Sequence, residues 1–303
     1  FGKNRADRLQ PVMQEAYRLA YIRKPEFMGN TRTEEKDPKF KVISDLPWSE
    51  QEINERLAAY RQLSDKVEQE WHALPAQKKE TYFQLVKYPV QAAAQMNNKL
   101  LTAQLARHGK ADWADSDRAY DSIVSLTKTY NTTKWNRMMD FQPRRLLVFN
   151  RVERKALSSG LLEKPQAVYT WNGADCVEGA SVICEGLGYE GKAVAVEKKK
   201  ELTFEFAAWE TDSVEVEVRL LPNHPVEGER LRFTISLDGS ATEAVSYETK
   251  GRSEEWKENV LCNQAVRRMI LPVARKASHR LIFTALDEGV VLDQICLYMP
   301  RIK

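Results

Sequence analysis

The densest run of chemistry-bearing side chains lies between Thr133 and Phe149. It contains Lys134, Trp135, Asn136, Arg137, Met138, Met139 and Asp140, then Pro143, Arg144 and Arg145. These residues follow neither the 3.6-residue period of a helix nor the two-residue period of a strand. An indole offers a flat apolar face, an amide both donates and accepts, and a guanidinium forks onto a carboxylate through two parallel N–H bonds. Together they suit a ligand that is at once a sugar and an acid, so Trp135, Asn136, Arg137, Arg144 and Arg145 are the candidate substrate-proximal residues. The alternative is an ordered loop that packs Trp135 and the methionines against neighbouring elements.

A second concentration is acidic: Asp112, Asp115, Asp117 and Asp121. Glycoside hydrolysis needs two carboxylates held across a scissile bond. Acids in the first turn of a helix, however, cap free amides and complement the helix dipole with no catalytic role. The capping reading is adopted, and no catalytic residue is assigned. His72, His108, His224 and His279 stand apart from one another and from any Cys or Asp spacing that builds a metal site, so no metal is expected. Cys176, Cys184, Cys262 and Cys296 sit at wide, irregular spacings that fit buried free thiols better than zinc ligands. No Gly-rich phosphate loop, nucleophile elbow or Cys-His pair is present, and no cofactor is expected.

The elements that must position these residues divide the chain. From about Ala6 to Arg23, Leu9, Val12, Met13, Ala16, Leu19 and Ala20 recur at helical spacing, with Pro11 as a kink or a late start. A charged, irregular connector follows from Thr31 to Lys41. Ser49 with Glu52 forms a capping box for a second helix, whose stripe is Ile53, Leu57, Tyr60, Leu63, Val67, Trp71 and Leu74, stopped by Pro75. A third helix spans about Gln77 to His108, with Tyr82, Leu85, Val86, Ala93, Met96, Leu100 and Leu105 inward, a kink at Pro89 and Gly109 as C-cap. A fourth starts at Asp112 and turns Trp113, Tyr120, Ile123, Val124, Thr127 and Tyr130 to the core. Four helices with short connections predict a bundle.

After about Leu162 the period changes to two. Val214, Val216, Val218 and Leu220 alternate with charged residues; Leu202–Phe206, Leu231–Leu237 and Leu281–Ala285 repeat the pattern, with turns at Asp238-Gly239 and Glu288-Gly289. The expected fold class is α+β and multidomain: an N-terminal α-helical bundle followed by a C-terminal antiparallel β-sandwich of jelly-roll type. The expected divisions are 1–45 (helix and linker), 46–162 (bundle) and 163–303 (sandwich).

Composition narrows the partners. The 46 basic and 43 acidic residues are interspersed, which argues against a nucleic-acid or anionic-membrane surface. The longest apolar stretches fall far below the roughly 20 residues that cross a bilayer. The chain opens at Phe1-Gly2-Lys3-Asn4 with no initiator Met or apolar leader and reads as an excised fragment.

The segment Lys134-Trp135-Asn136-Arg137-Met138-Met139 resembles the Lys-Trp-Asn-x-Met-Met motif that ends the helical domain of the α-glucuronidases of glycoside hydrolase family 115. Arg23-Lys24-Pro25-Glu26 is similar to the element that leaves the family's catalytic barrel, and Tyr82 to Asn97 to its Phe-x-Leu-Val-x-Tyr-Pro-Val helix. In the second half, Gly228-Glu229-Arg230-Leu231-Arg232 and Asp287-Glu288-Gly289-Val290-Val291-Leu292 resemble its final domain. The resemblance spans nearly the whole chain and implies accessory domains of an enzyme that removes glucuronic acid or its 4-O-methyl ether from xylan. It further implies that the chemistry sits in an upstream barrel, that the partners are a xylan-type polysaccharide and a second copy in a homodimer, and that the parent is secreted or periplasmic. Where many members continue with Gln-Thr-His-Ile-Gly-Tyr, this chain has Phe141-Gln142-Pro143-Arg144-Arg145-Leu146-Leu147, so the resemblance does not fix its substrate or linkage preference. Two other roles are consistent with the residues. The sandwich would bind polysaccharide through exposed Trp171, Trp209 or Trp256, or the whole chain would be a scaffold without ligand contact.

Overall fold

Helices fill residues 1–164 and antiparallel sheets dominate the remainder in a computed structural model, which describes residues 1–32, 36–143, 146–157, 159–179 and 182–300. The division falls between two compact units, Phe1–Lys164 and Pro165–Lys303, in an α+β arrangement.

In the first unit, α1 (Lys3–Ile22) starts one turn earlier than its apolar stripe suggests and carries Pro11 within the helix. It buries Leu9, Val12 and Leu19, and stops where Arg23 turns extended. α2 (Glu50–His72) opens on both bonds of the capping box. Ser49 Oγ accepts from the Glu52 amide at 3.3 Å, and Glu52 Oε2 accepts from the Ser49 amide at 2.7 Å. Ile53, Tyr60, Leu63 and Val67 are buried along it, and Leu74 is buried just beyond its end.

The expected third helix is interrupted. α3 (Ala76–Tyr82) and α4 (Tyr88–Arg107) are joined by a π-helical turn over Phe83–Lys87, in which the Tyr88 amide donates to the Phe83 carbonyl. Pro89 has no N–H, and its ring crowds the carbonyl four residues back, so the turn before it widens rather than strains. The wide turn also corrects one inward residue: Leu85 is 56% exposed, while Val86 beside it is buried. α4 ends in a Schellman motif, with the Gly109 amide donating to Ala106 O, the Lys110 amide to Leu105 O, and Gly109 at φ +71°. α5 (Trp113–Asn131) begins at Asp112, whose side chain accepts from the Ala114 amide.

Buried cations tie these helices together. The Arg56 guanidinium donates to Leu19 O and Arg23 O, both at 2.9 Å, and through Nε to Asn97 Oδ1 at 2.7 Å. It therefore caps the C-terminal end of α1 from α2. Lys99 is fully buried on α4, and its Nζ donates to Val148 O and Asn150 O at 2.5 and 2.8 Å.

The second unit contains β1 (Tyr169–Asn172), β2 (Val182–Glu185), β3 (Lys192–Ala195), β4 (Glu201–Ala207), β5 (Ser213–Leu220), β6 (Arg232–Leu237), β7 (Ser240–Ala241), β8 (Val245–Ser246), β9 (Ala265–Pro272), β10 (Ser278–Ala285) and β11 (Val291–Tyr298). One sheet has the order β2-β3-β11-β5-β9, with β1 also on β11; the other is β4-β10-β6-β7, with β8 also on β6. Apolar side chains from both sheets, among them Val216, Leu220, Ile295, Phe204, Phe233 and Phe283, meet in one core, as a two-layer sandwich requires. Asp238 and Gly239, at φ 52° and 92°, make the two-residue turn from β6 to β7 that positive φ at both positions allows. A helix absent from the expectation, α6 (Glu254–Cys262), is capped by Ser253 and closed by Asn263 in the left-handed region.

Candidate functional site

The chain leaving α5 folds back at once. Asn131 holds the return through two bonds, accepting from the Met139 amide at 3.2 Å and donating to Met139 O at 2.7 Å. Between these anchors the Met138 amide donates to Trp135 O at 3.0 Å, and Thr133 Oγ1 accepts from the Trp135 amide. Arg137 sits at φ 63°, a left-handed conformation that an arginine adopts only where the surrounding turn demands it. Further on, Gln142 Nε2 donates to Asn150 Oδ1, and the Lys99 ammonium holds Val148 and Asn150. The loop is thus pinned at both feet by α5 and α4, which lets its tip hold a defined shape.

At that tip Trp135, Asn136 and Arg137 share one turn. Asn136 and Arg137 are exposed, whereas Trp135 is half-buried with Lys134 Nζ 5.3 Å from its ring centroid. The indole Nε1 is shut off from solvent with no hydrogen-bond partner among the described residues. Arg144 and Arg145 lie outside the described residues. Met138 and Met139 are 61% and 36% exposed. Of the packing expected in the alternative, Trp135 shows part and the methionines little, and the tip presents amide, guanidinium and thioether groups to solvent.

The acidic cluster is spoken for. Asp112 caps α5, Asp115 pairs with Arg118, Asp117 accepts from Arg151 and Arg154, and Asp121 accepts from Arg151. Hydrogen bonds from Arg151 and then Arg154 hold the Asp117 carboxyl below its ordinary range, so it is fixed as an anion and not poised as an acid.

In the second unit the three tryptophans do not form a platform. Trp209 is buried and donates through Nε1 to Ser213 O at 2.9 Å. Trp171 stacks on Tyr169 at 5.3 Å and lies 5.6 Å from Phe204 against the core, and Trp256 is half-buried on α6. Of the cysteines, Cys296 is buried and Cys176, Cys184 and Cys262 are only partly so. That corrects the expectation of four buried thiols, since three of them lie at strand, turn or helix ends. No group of three His, Cys, Asp or Glu side chains able to hold a metal occurs among the described residues. Nor is any helix long and apolar enough to cross a membrane among them.

Sequence reasoning missed the buried acids of the sandwich. Glu217 is 3% exposed and accepts from Arg219 Nε and Arg268 Nε, each at 2.7 Å. Burial raises its carboxyl, but Arg219 and Arg268 outweigh burial and hold it below the ordinary value. Asp293 accepts from Gln264 Nε2 and the Tyr189 amide, and burial pushes its carboxyl up. These groups knit strands and loops together.

Comparison with known proteins places this geometry. The family model described as the glycosyl hydrolase family 115 C-terminal domain matches residues 180–303. A solved structure described as a novel family GH115 4-O-methyl-α-glucuronidase with specificity for decorated arabinogalactans is 61% identical, with a TM-score of 0.95 over 98% of this chain. The chain spans 39% of that relative's length. A family 35 carbohydrate-binding module from an environmental isolate is 10% identical over 44% of this chain and 93% of its own (TM-score 0.35). A family 6 module from the Cellvibrio mixtus lichenase 5A, solved with cellotriose, is 13% identical over 45% of this chain and 100% of its own (TM-score 0.34). Similarity at that level carries no argument about the sandwich. No curated protein matches the chain.

Proposed function

The chain belongs to glycoside hydrolase family 115, and from that premise we propose that it supplies the substrate-approach and dimerisation parts of a secreted or periplasmic enzyme that removes 4-O-methylglucuronic acid from a polysaccharide. The observation that carries this reading is the pinned tip at Trp135–Arg137, which displays an amide and a guanidinium beside an indole on a rigid helical base. The carboxylates of the first unit that attract attention in the sequence are engaged in caps and ion pairs. In this reading, proton transfer to the leaving oxygen falls to a catalytic region outside this chain. In this role Arg137 forks onto the sugar carboxylate, Asn136 reads a hydroxyl, and Trp135 covers an apolar face of the ring. Arg144 and Arg145 add positive charge on the same stretch of chain.

Two polymers are in competition. The resemblance of the Lys134–Met139 motif points to glucuronoxylan, whereas the 61%-identical relative is described as specific for decorated arabinogalactans. We take arabinogalactan, the polymer named for that relative, as the better substrate to test first.

The test is release of 4-O-methylglucuronic acid from both polymers by the full-length parent, its Arg137→Ala and Trp135→Ala variants, and this chain alone. Loss of the Arg137 fork should lower kcat/KM about 10- to 100-fold, the range expected for a charge-assisted hydrogen bond. This chain alone should release nothing. Release by this chain alone, or wild-type kinetics in both variants, would sink the approach role; the second outcome would leave a scaffold. Sedimentation of the parent as a strict monomer would remove the dimer.

A further inference from the structure

The last stretch of the first unit, 150–164, is not slack chain. Beyond Asn150 it is held against the helices at successive points by contacts of two kinds. The first kind is exposed. Arg151 donates to Asp117 Oδ1 at 2.8 Å and to Asp121 Oδ1 at 2.5 Å, and lies 4.6 Å from the Tyr120 ring centroid. Arg154 reaches Asp117 Oδ2 at 2.5 Å, and Lys164 reaches Glu52 at 2.9 Å. Side-chain exposure of these six residues runs from 21% to 65%. The second kind is anchored on buried side chains at the end of α4, although Leu157 and Ser159 are themselves exposed. The Leu157 amide donates to Arg107 O at 2.8 Å, just where α4 ends. The His108 ring lies with Nδ1 2.5 Å from Ser159 O and Nε2 2.6 Å from Asp45 Oδ2, and Asp45 is held in turn by Arg107. His108 and Arg107 side chains are only 4% and 7% exposed.

We infer that this segment is a strap with a latch, and that His108 sets how much of the C-terminal end of the first unit stays fastened to its helices. Exposed ion pairs contribute little and weaken in salt, whereas shielded ones are screened far less. The rungs at Arg151, Arg154 and Lys164 therefore open and close readily. Their opening releases nothing beyond the residues after Ser159 so long as the latch holds, because the latch lies between them in the chain. Only when Leu157 and Ser159 leave α4 can the strap free a further ten residues or so, roughly 33 Å of extended chain. Few apolar side chains oppose that step, chiefly the buried Val152 and the partly buried Leu161, so the strap can open while the bundle stays folded.

Hydrogen exchange read by mass spectrometry on the full chain tests this. Raising salt from low to about 1 M should speed exchange in the peptide covering 151–155 by about threefold or more, and leave the peptide containing Leu157 unchanged. His108→Ala should speed exchange in the Leu157 peptide at least tenfold at either salt, with α4 and α5 unaffected. Leu157→Pro, which removes the donated N–H at an exposed position, should expose the flanking amides in the same way and stands in if His108→Ala does not fold. The proposal is overturned if the Leu157 peptide responds to salt as strongly as 151–155. It is equally overturned if that peptide exchanges only together with α4, or keeps wild-type protection in the variants.

Discussion

The two units bury charge of opposite sign. In the helical unit the buried ionic side chains are Arg23, Arg56, Lys99 and Arg107; in the sandwich the buried acids are Glu217, Asp287 and Asp293. The difference follows from what each kind of backbone leaves unpaired. Helices end in free carbonyls, and irregular segments packed on them offer more, so a buried cation finds acceptors without any carboxylate, as Arg56 does at the end of α1 and Lys99 does at Val148 and Asn150. Strand bulges and sheet faces offer amides and cross-strand arginines. Asp293, at the bulge in β11, accepts from a loop amide, and Glu217 joins Arg219 on its own strand to Arg268 on β9. A buried charge is thus a device for joining elements, and its sign reports which backbone groups are left over.

The largest effect that would break this comparison is expected at Arg56. Arg56→Met removes the donor from two buried carbonyls and from Asn97, and should destabilise the helical unit by about 3–5 kcal/mol in urea unfolding followed by local hydrogen exchange. Little loss would mean that the helix end finds water instead. Glu217→Gln keeps the shape but removes the carboxylate that joins Arg219 to Arg268, leaving Arg268 with only Glu215 at 3.9 Å. It should cost the sandwich about 2 kcal/mol and leave the helical unit untouched, as the same experiment would read.

The gentlest probe is pH, and it should act on the two units from opposite ends of the scale. Burial pushes the Lys99 ammonium down from 10.5 to about 7. Between those values the unfolded chain binds the extra proton, so the helical unit should gain stability as pH rises from about 7 to 10.5, and Lys99→Met should flatten that rise. In the sandwich Glu217, Asp238 and Asp287 are all held below their ordinary values. Their contribution is complete above the ordinary carboxylate range and is lost as pH falls through the folded-state values. Asp293, pushed up by burial, acts in the other direction and is outnumbered. Unfolding curves for each unit at acid, neutral and alkaline pH check both signs.

Much of the architecture was legible because its signals are local. Ser49 with Glu52, Asp112 and Gly109 marked helix ends through backbone chemistry confined to one turn, and β5, β6 and β10 showed the two-residue period of a half-buried strand. What escaped depends on distant context. Seven of the eight residues of β11 are buried, with Asp293 and Gln294 among them, so the alternation that reveals a strand is absent. α6 has no buried residue and hence no stripe, and β2 is a four-residue edge strand. At the site, Trp135, Asn136 and Arg137 stand out by composition, but the buried Lys99 that fastens the loop does not, because a lysine in a sequence reads as surface.

The π turn at Phe83–Lys87 has a meaning for how this chain tolerates change in its length. A wide turn is one residue spare: α3 and α4 keep the phases they would have in an uninterrupted helix one residue shorter. A single-residue deletion there would close the turn to ordinary pitch without rotating Asn97, Lys99 or Gln104 away from their partners. The same deletion anywhere in α4 before Asn97 would turn all three by about 100°. The segment is therefore a place where the gene can lose a codon and the protein keep its core, immediately upstream of the helix that fastens both the candidate loop and the strap.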